Sequence, residues 1–196
     1  MNYLAHALVI PWQDPLFVAG NVLGDYYKGT PPAEFPEALK AAIRLHRAVD
    51  DFTDKHPAHK GIGRLLEELG RYRGVFADIL VDHILSQNLE IFPAKEDFGR
   101  YVTQLRAQFG VLRPFVPPGR LEHYHRISKP GWLESYRASA HLKTLVQGVC
   151  RRMSHGPHPE TCWQVMMVAR PLAEEKAWKL YLDTRIFVNE LLFKFY

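Results

Sequence analysis

The sequence predicts an all-α fold, and three observations lead to that class. Apolar residues recur at the helical spacings of three and four along most of the 196-residue chain. We find no sustained alternation of apolar and polar residues, which is the pattern of strands. Proline and glycine divide the chain into segments of helix length. A chain of this length with 47% hydrophobic side chains buries a core without disulfides or a structural metal, so we expect one helical domain over residues 1–196.

Helix-start and helix-stop signals divide the chain into eight predicted helices. Asp14 followed by Pro15 is typical of an N-cap with proline at the first helical position. Pro57, Gly70 and Pro93 end the second, third and fourth helices. The predicted helices cover residues 14–28, 36–55, 58–69, 72–91, 95–109, 119–127, 131–153 (with a possible break) and 160–194. The joints between them are short, which is typical of corners inside one domain.

Charge is distributed unevenly along the chain. Residues 1–94 contain nine Lys and Arg against twelve Asp and Glu, whereas residues 95–196 contain sixteen against nine. The densest basic block is residues 100–152, in which ten Lys and Arg oppose two glutamates. A surface of this kind attracts an anionic partner. The block contains no groove-reading or base-stacking motif, so we expect no nucleic-acid partner.

The cysteines and the apolar segments indicate a cytoplasmic protein. Cys150 and Cys162 form no disulfide framework and fit a reducing compartment. The N-terminal segment lacks a basic n-region and is interrupted by His6 and Pro11, so it does not have the pattern of a signal peptide. No stretch approaches the roughly 18 apolar residues that a membrane span needs. We expect no membrane partner, and the sequence predicts no particular oligomeric state.

Ionisable residues lie on the apolar face of the predicted helix 36–55. Its apolar stripe includes Leu39 and Ile43, and His46 and Asp50 follow at the same spacing. His46 and Asp50 are four residues apart, so their side chains can touch. The helix therefore directs an imidazole and a carboxylate towards the core.

Two further helices repeat this pattern. In the helix 72–91, Asp78 and Asp82 are four residues apart on a largely apolar face, with His83 beside them. In the helix 14–28, Asn21 and Asp25 continue the inward spacing. Buried unpaired charge costs several kcal/mol, so we expect a cation to neutralise these groups. Asp oxygen and His nitrogen form the ligand set of Mn²⁺, Mg²⁺, Fe²⁺ or Zn²⁺, which predicts one or two metals between helices.

Each of these residues also has a purely structural interpretation. Taken alone, His46 can be a core histidine that forms a hydrogen bond. Asp50 and Asp78 can each form a salt bridge to a neighbouring arginine. Asp25 is compatible with an exposed helix end, and His6 is either a ligand or a buried hydrogen-bonding histidine. His56 and His59, which flank Pro57, are expected at the surface. Only the set taken together favours a metal site. No phosphate-binding loop, nucleophile elbow or H-E-x-x-H motif is present to suggest other chemistry.

Four blocks of the sequence resemble the bacterial acyl carrier protein phosphodiesterase family in order and spacing. They are Asn2-Tyr3-Leu4-Ala5-His6, Gly20-Asn21-Val22-Leu23-Gly24-Asp25, the run from His46 to Pro57, and Asp78-Ile79-Leu80-Val81-Asp82-His83. The resemblance implies an all-helical, rearranged relative of the HD-type metal-dependent phosphohydrolases. Asp82-His83 has the reverse order of the usual HD pair. The implied reaction removes 4′-phosphopantetheine from the serine of holo acyl carrier protein, with a divalent metal that is typically Mn²⁺, with Mg²⁺ or Fe²⁺ as alternatives.

The resemblance also implies roles for individual residues. The implied metal ligands are Asp25, His46, Asp50, Asp78, Asp82 and His83, with His6 as a further candidate. The implied catalytic residues hold the metal, which lowers the pKa of a bound water molecule; they are Asp25, His46, Asp50 and Asp82. The implied role of Asn21 is to contact the substrate. Arg47 is either a phosphate contact or part of a surface salt bridge. Acyl carrier proteins are small and acidic, so the basic block is expected to bind one through Arg120, Arg126 and Arg137.

Two other functions remain open at this point. The first keeps the metal site but changes the substrate to a nucleotide or another small phosphoester, as in other HD-type proteins. The second is a helical binding module without catalytic activity that docks acidic proteins through its basic face. Comparing the rates at which holo acyl carrier protein and small phosphoesters are hydrolysed distinguishes the first alternative from the predicted activity. Measuring the metal content of the purified protein distinguishes the second.

Overall fold

The computed structural model describes residues 2–10, 14–88 and 98–195, and these ranges contain α-helices and no strand. The all-α prediction is therefore confirmed. The helices are α1 (Tyr3–Leu8), α2 (Pro15–Val22), α3 (Glu37–Lys55), α4 (Pro57–Leu65), α5 (Arg73–Gln87), α6 (Phe98–Phe109), α7 (Leu121–Ile127), α8 (Ser139–Cys150) and α9 (Pro159–Phe195). Short 3₁₀ turns cover Gly24–Tyr26, Glu67–Tyr72, Gly110–Phe115, Pro118–Arg120 and Glu134–Tyr136.

Most helices begin near the residue that the sequence predicts, whereas their ends lie further from the predicted positions. Asp14 caps α2 by accepting the backbone N–H groups of Leu16 at 2.8 Å and Phe17 at 3.1 Å. The helix predicted to continue to residue 28 ends at Val22, because Leu23 leaves helical geometry with φ −106° and ψ 19°. Helix α1 was not predicted. The predicted fourth-helix end at 89–91 and fifth-helix start at 95–97 lie outside the described residues.

The core is assembled around the three longest helices, α3, α5 and α9. Helix α9 packs against α3, α4, α5 and α8, and the short helix α2 packs along α3. Helix α5 is apolar almost all round, and side chains such as Phe76 and Leu80 are fully buried. Helix α1 packs between α2 and α5, which brings its single histidine into the protein interior. In the described parts of the chain, we find no helix of the length and apolar character that crossing a membrane requires.

Candidate metal centre

Two histidines and one aspartate from α1 and α3 form a buried cluster. Ligand atoms of His6, His46 and Asp50 all lie within 4.8 Å of one another. One oxygen of Asp50 is 3.0 Å from Nε2 of His6, and the other is 3.1 Å from Nε2 of His46. The two imidazole rings stack with centroids 4.4 Å apart. This arrangement of two nitrogens and a carboxylate fits a divalent metal.

His46 is held in the orientation that a metal ligand requires. Its Nδ1–H donates a 2.7 Å hydrogen bond to the backbone carbonyl of Asn21, which directs Nε2 towards the cluster. The ring packs directly over Gly24, where an added Cβ would lie 2.3 Å from Cγ of His46. The Gly24–Tyr26 turn thus needs glycine because the imidazole occupies the space of a side chain.

His6 is positioned by two side chains from other helices. Both carboxylate oxygens of Asp82 accept backbone N–H groups at the start of α1, from Leu4 and Ala5, each at 3.0 Å. These N–H groups have no partner inside the helix, so the carboxylate acts as a cap from α5. Asn21 donates its side-chain N–H to the backbone carbonyl of His6 at 3.0 Å. Helix α1 is therefore fixed on both sides of its histidine.

Two buried polar atoms around the cluster have no hydrogen-bond partner among the described residues. They are Nδ1 of His6 and Oδ1 of Asn21. A buried polar atom without a partner costs about 1–3 kcal/mol, and such atoms are rare in folded proteins. Both atoms can present lone pairs, so they fit surroundings that hold a further ligand beside the ion pair of His46 and Asp50.

The charges of the cluster match a cation site. Burial and the positive charge on His46 lower the pKa of His6 to about 4. Burial lowers the pKa of His46 as well, but the carboxylates of Asp25 and Asp50 outweigh it and raise that pKa to about 9. Burial raises the pKa of Asp50, but the two imidazoles outweigh it and hold the value well below its usual range. A proton on His46 therefore supplies the positive charge that a metal would replace.

Asp25 lies at the solvent side of this cluster. Its Oδ1 is 3.8 Å from Nε2 of His46, and its side chain is 75% exposed. The same oxygen is 3.3 Å from the ammonium group of Lys28. The imidazole of His46 lowers the pKa of Asp25 to about 2, so the carboxylate is ionised at neutral pH. Asp25 thus lies on the exposed side of the cluster, 3.8 Å from His46.

The three candidate ligands on α5 have other partners and do not join the cluster. Asp82 is fully buried and caps α1. His83 donates from Nδ1 to the backbone carbonyl of Tyr136 at 2.6 Å. Asp78 accepts from Nε2 of His59 at 3.0 Å. Asp82 and His83 point inward as predicted, and each of the three polar groups on α5 has a protein partner outside the cluster.

Two histidines that were expected at the surface are buried. His56 and His59 are each 9% exposed. His59 contacts Asp78, and His56 contacts Asp183 of α9 at 3.0 Å. The surface prediction was wrong because α9 packs over α4, a contact that the local sequence does not encode.

Three residues that were predicted to contact substrate, Arg47, Asn21 and Arg137, contact other parts of the protein. Arg47 donates to the backbone carbonyls of Tyr27 at 3.0 Å and Gly29 at 2.6 Å, so it anchors the segment after the 3₁₀ turn. Asn21 is fully buried, which places it behind the cluster and away from any protein surface. Arg137 lies over the ring of Phe98.

The other two candidate arginines lie elsewhere. Arg120 is exposed. Arg126 lines a cavity of about 690 Å³.

One polar contact near the cluster was not found in the sequence. Nδ1 of His123 is 2.7 Å from the hydroxyl of Tyr26, and Nε2 is 3.5 Å from the hydroxyl of Tyr3. These residues are 97 and 120 positions apart in the chain, so no local pattern links them. The contact joins α7 to the wall of the cluster.

The fold and this site define an all-helical protein with a buried His/Asp centre that fits a divalent metal. The family model described as "Acyl carrier protein phosphodiesterase" matches residues 1–184. The chain belongs to the acyl carrier protein phosphodiesterase family.

Curated relatives with that name agree with this assignment. Proteins from Enterobacter sp. (strain 638) and Salmonella agona (strain SL483) are each 25% identical over 92% of this chain and 94% of their own length. No solved structure matches the chain, so the likeness to HD-type folds stays a prediction.

Proposed function

We propose that this protein is a metal-dependent phosphodiesterase that hydrolyses holo acyl carrier protein. Water adds to phosphorus, the bond from phosphorus to the serine oxygen breaks, and that oxygen takes a proton. The products are 4′-phosphopantetheine and the apo carrier protein. Family membership and the names of the relatives support the substrate. The observation that carries the metal dependence is the cluster of His6, His46 and Asp50, together with the two unpartnered buried atoms around it.

The proposed metal ligands are the two imidazoles and the Asp50 carboxylate, with Asp25 on the open side. When bound, a divalent cation supplies positive charge against the phosphoryl oxygens and lowers the pKa of the water that attacks phosphorus. The mixture of nitrogen and oxygen donors favours Mn²⁺ or Fe²⁺ over Mg²⁺, which prefers oxygen alone, and we assign Mn²⁺. Asn21 and Asp82 act as positioning residues, because they hold the backbone on which His6 is mounted.

The basic block supports a docking role for the second half of the chain. Residues 95–196 hold sixteen Lys and Arg against nine Asp and Glu, and Arg120 and Arg126 lie on α7 or directly before it. The positive charge of this face attracts an acidic protein substrate. The face lies beside the cluster, because Tyr26, which follows Asp25, contacts His123 of α7. We assign recognition of the acyl carrier protein to this face.

The decisive experiment incubates the purified protein and Mn²⁺ with holo acyl carrier protein and follows loss of the phosphopantetheine group by mass spectrometry. Asp50→Asn should lower both bound Mn²⁺ and turnover by about 100-fold or more, since it removes a charged ligand. Asp51→Asn is the matched control, because Asp51 is the exposed neighbour and pairs only with Lys55 among the described residues. Circular dichroism verifies that both variants fold.

Three results would contradict this proposal. Turnover by Asp50→Asn at the wild-type rate would show that the cluster takes no part in the reaction. Faster turnover of nucleotides or small phosphodiesters than of holo acyl carrier protein would show that the substrate is one of those compounds. Tight binding of the carrier protein without hydrolysis or stoichiometric metal would leave only a binding module.

A further inference from the structure

A second functional feature lies beside the metal centre. The cavity of about 690 Å³ opens between the start of α1, α7, the Glu134–Tyr136 turn and α8. Its volume is within the range of ligand pockets in proteins. Tyr3 and Trp132 form an aromatic wall with ring centroids 5.1 Å apart, and Leu145 adds aliphatic surface. Ser135 and Thr144 supply hydroxyl groups at the same lining.

The described lining of the cavity is positively charged. Arg126 and Arg152 both line it, and no Asp or Glu is among its described lining residues. Neither guanidinium has an ion pair or side-chain hydrogen bond within the described ranges, whereas Arg106 on the same half of the protein pairs with Glu134 at 2.8 Å. Burial and then the charge of Arg126 lower the pKa of Arg152. Two unpaired guanidinium groups facing one space form a site for an anion with several oxygens.

The cavity and the metal centre share a wall. Tyr3 lines the cavity, and His6 follows one helical turn later in α1. His123 also lines the cavity and is hydrogen-bonded to Tyr26, which is adjacent to Asp25. Burial and then the negative charge of Asp25 raise the pKa of Tyr3, so this carboxylate lies within electrostatic reach of the cavity wall. The cavity and the cluster are therefore neighbours that share α1 and the contact of His123 with Tyr26.

On the basis of the proposed function, we propose that this cavity binds the organic phosphate portion of the substrate. The guanidinium groups of Arg126 and Arg152 contact phosphoryl oxygens, and the chain attached to the phosphate lies along Tyr3, Trp132 and Leu145. The hydroxyl groups of Ser135 and Thr144 donate to the backbone carbonyls of Trp132 and Ala140, so their oxygens can accept from a ligand amide. A chain of alternating aliphatic and amide groups, such as pantetheine, matches an apolar wall with such acceptors. The cavity thus selects an organic phosphate over inorganic phosphate.

The test measures binding of 4′-phosphopantetheine to the full-length protein in EDTA by titration calorimetry, so that metal makes no contribution. The variant with both Arg126→Gln and Arg152→Gln should bind at least about tenfold more weakly, because each lost contact is a charged hydrogen bond. Arg151→Gln is the matched control, since this neighbouring arginine is exposed like Arg152 but does not line the cavity. Wild-type affinity in the double variant would overturn the proposal.

A second variant tests the part of the cavity that binds the chain. Gly148 lies in α8 and lines the cavity, and the described atom nearest to an added Cβ there is Nη1 of Arg152 at 3.6 Å. Gly148→Leu introduces a good helix former whose side chain enters the cavity without disturbing the core. It should weaken binding of both 4′-phosphopantetheine and phosphate-free pantetheine. Equal affinity of the wild-type protein for inorganic phosphate and 4′-phosphopantetheine would refute the chain contact.

These measurements separate this proposal from the catalytic one. Binding in EDTA that depends on both arginines, together with failure to hydrolyse holo acyl carrier protein, would keep the cavity assignment and overturn the activity. Hydrolysis of holo acyl carrier protein with unchanged KM in the double arginine variant would keep the activity and overturn the cavity assignment. For hydrolysis itself, Gly148→Leu should raise KM more than it lowers kcat, because it affects the bound chain and leaves the cluster intact.

Discussion

Replacing Asp82 with asparagine should change how the stability of this protein depends on pH. Asp82 is fully buried, and its two oxygens accept the N–H groups of Leu4 and Ala5. Those hydrogen bonds favour the ionised carboxylate, but burial opposes it more strongly and raises the pKa to about 7. The folded protein therefore binds a proton at Asp82 near neutral pH, where the unfolded chain does not.

The sign and size of the effect follow from that difference. Because the folded pKa is above the unfolded value of 3.8, the contribution of Asp82 to stability is complete below about pH 4 and is lost as the pH rises through 7. A difference of about three pKa units corresponds to about 4 kcal/mol in total. Between pH 5 and pH 9, the wild-type protein should lose about 3 kcal/mol of this contribution.

Urea unfolding of both proteins at pH 5 and pH 9, in EDTA, measures this change. Asparagine resembles the protonated carboxyl group, so Asp82→Asn should be more stable than the wild type by about 1.5 kcal/mol at pH 5, where the unfolded carboxyl group is already ionised. At pH 9 the variant should be the more stable by about 4 kcal/mol, because it has no charge to bury. Other titrating groups are common to both proteins and cancel in the comparison.

A difference between the two proteins that is the same at both pH values would refute this reasoning. It would show that the two N–H groups overcome burial and keep Asp82 ionised throughout. The exposed substitution Asp51→Asn is the control and should show no pH-dependent difference of comparable size.

Three further predictions concern the cluster and the cysteines. Gly24→Ala should weaken Mn²⁺ binding at least about tenfold in calorimetry, because its Cβ collides with the ring of His46. Mn²⁺ affinity should rise about tenfold per pH unit up to pH 9, since binding displaces the proton from His46; affinity that is flat between pH 6 and 8 would contradict this. Cys150 and Cys162 are buried with sulfur atoms 3.4 Å apart, and burial raises the pKa of the Cys162 thiol to about 12. Both thiols should react with a thiol reagent only after unfolding in urea.

Local sequence patterns were sufficient for the features that depend on one helix. The spacing of His46 and Asp50 in α3 predicts that both point inward and touch, and the structure places their side chains 3.1 Å apart. The Asp14-Pro15 pair predicts the start of α2, and the capping hydrogen bonds are present. These features were predictable because neighbours on one helix are related by its geometry alone.

Features that depend on several helices were not predictable in this way. Helix α1 has six residues, which is too short to form by propensity. Its N-cap Asn2 accepts only the N–H of Tyr3, and Asp82 from α5 accepts the next two N–H groups. The membership of His6 in the cluster therefore depends on a contact 78 residues away. For the same reason, the sequence pattern of α5 does not identify the partners that Asp78 and Asp82 have in the structure. A periodic pattern shows that a charged group is buried and does not show which partner satisfies it.

Helix α1 connects the two proposed parts of the site. Its residue His6 belongs to a cluster made from the acidic half of the chain, which attracts a cation. Its residue Tyr3 lines a cavity whose charges come from Arg126 and Arg152 in the basic half, which attracts an anion. A phosphodiester needs both, because a cation and guanidinium groups together neutralise charge on the phosphoryl oxygens from two sides. The uneven charge along the sequence thus corresponds to two opposite sites that meet across one short helix, and Asp82 controls the placement of that helix.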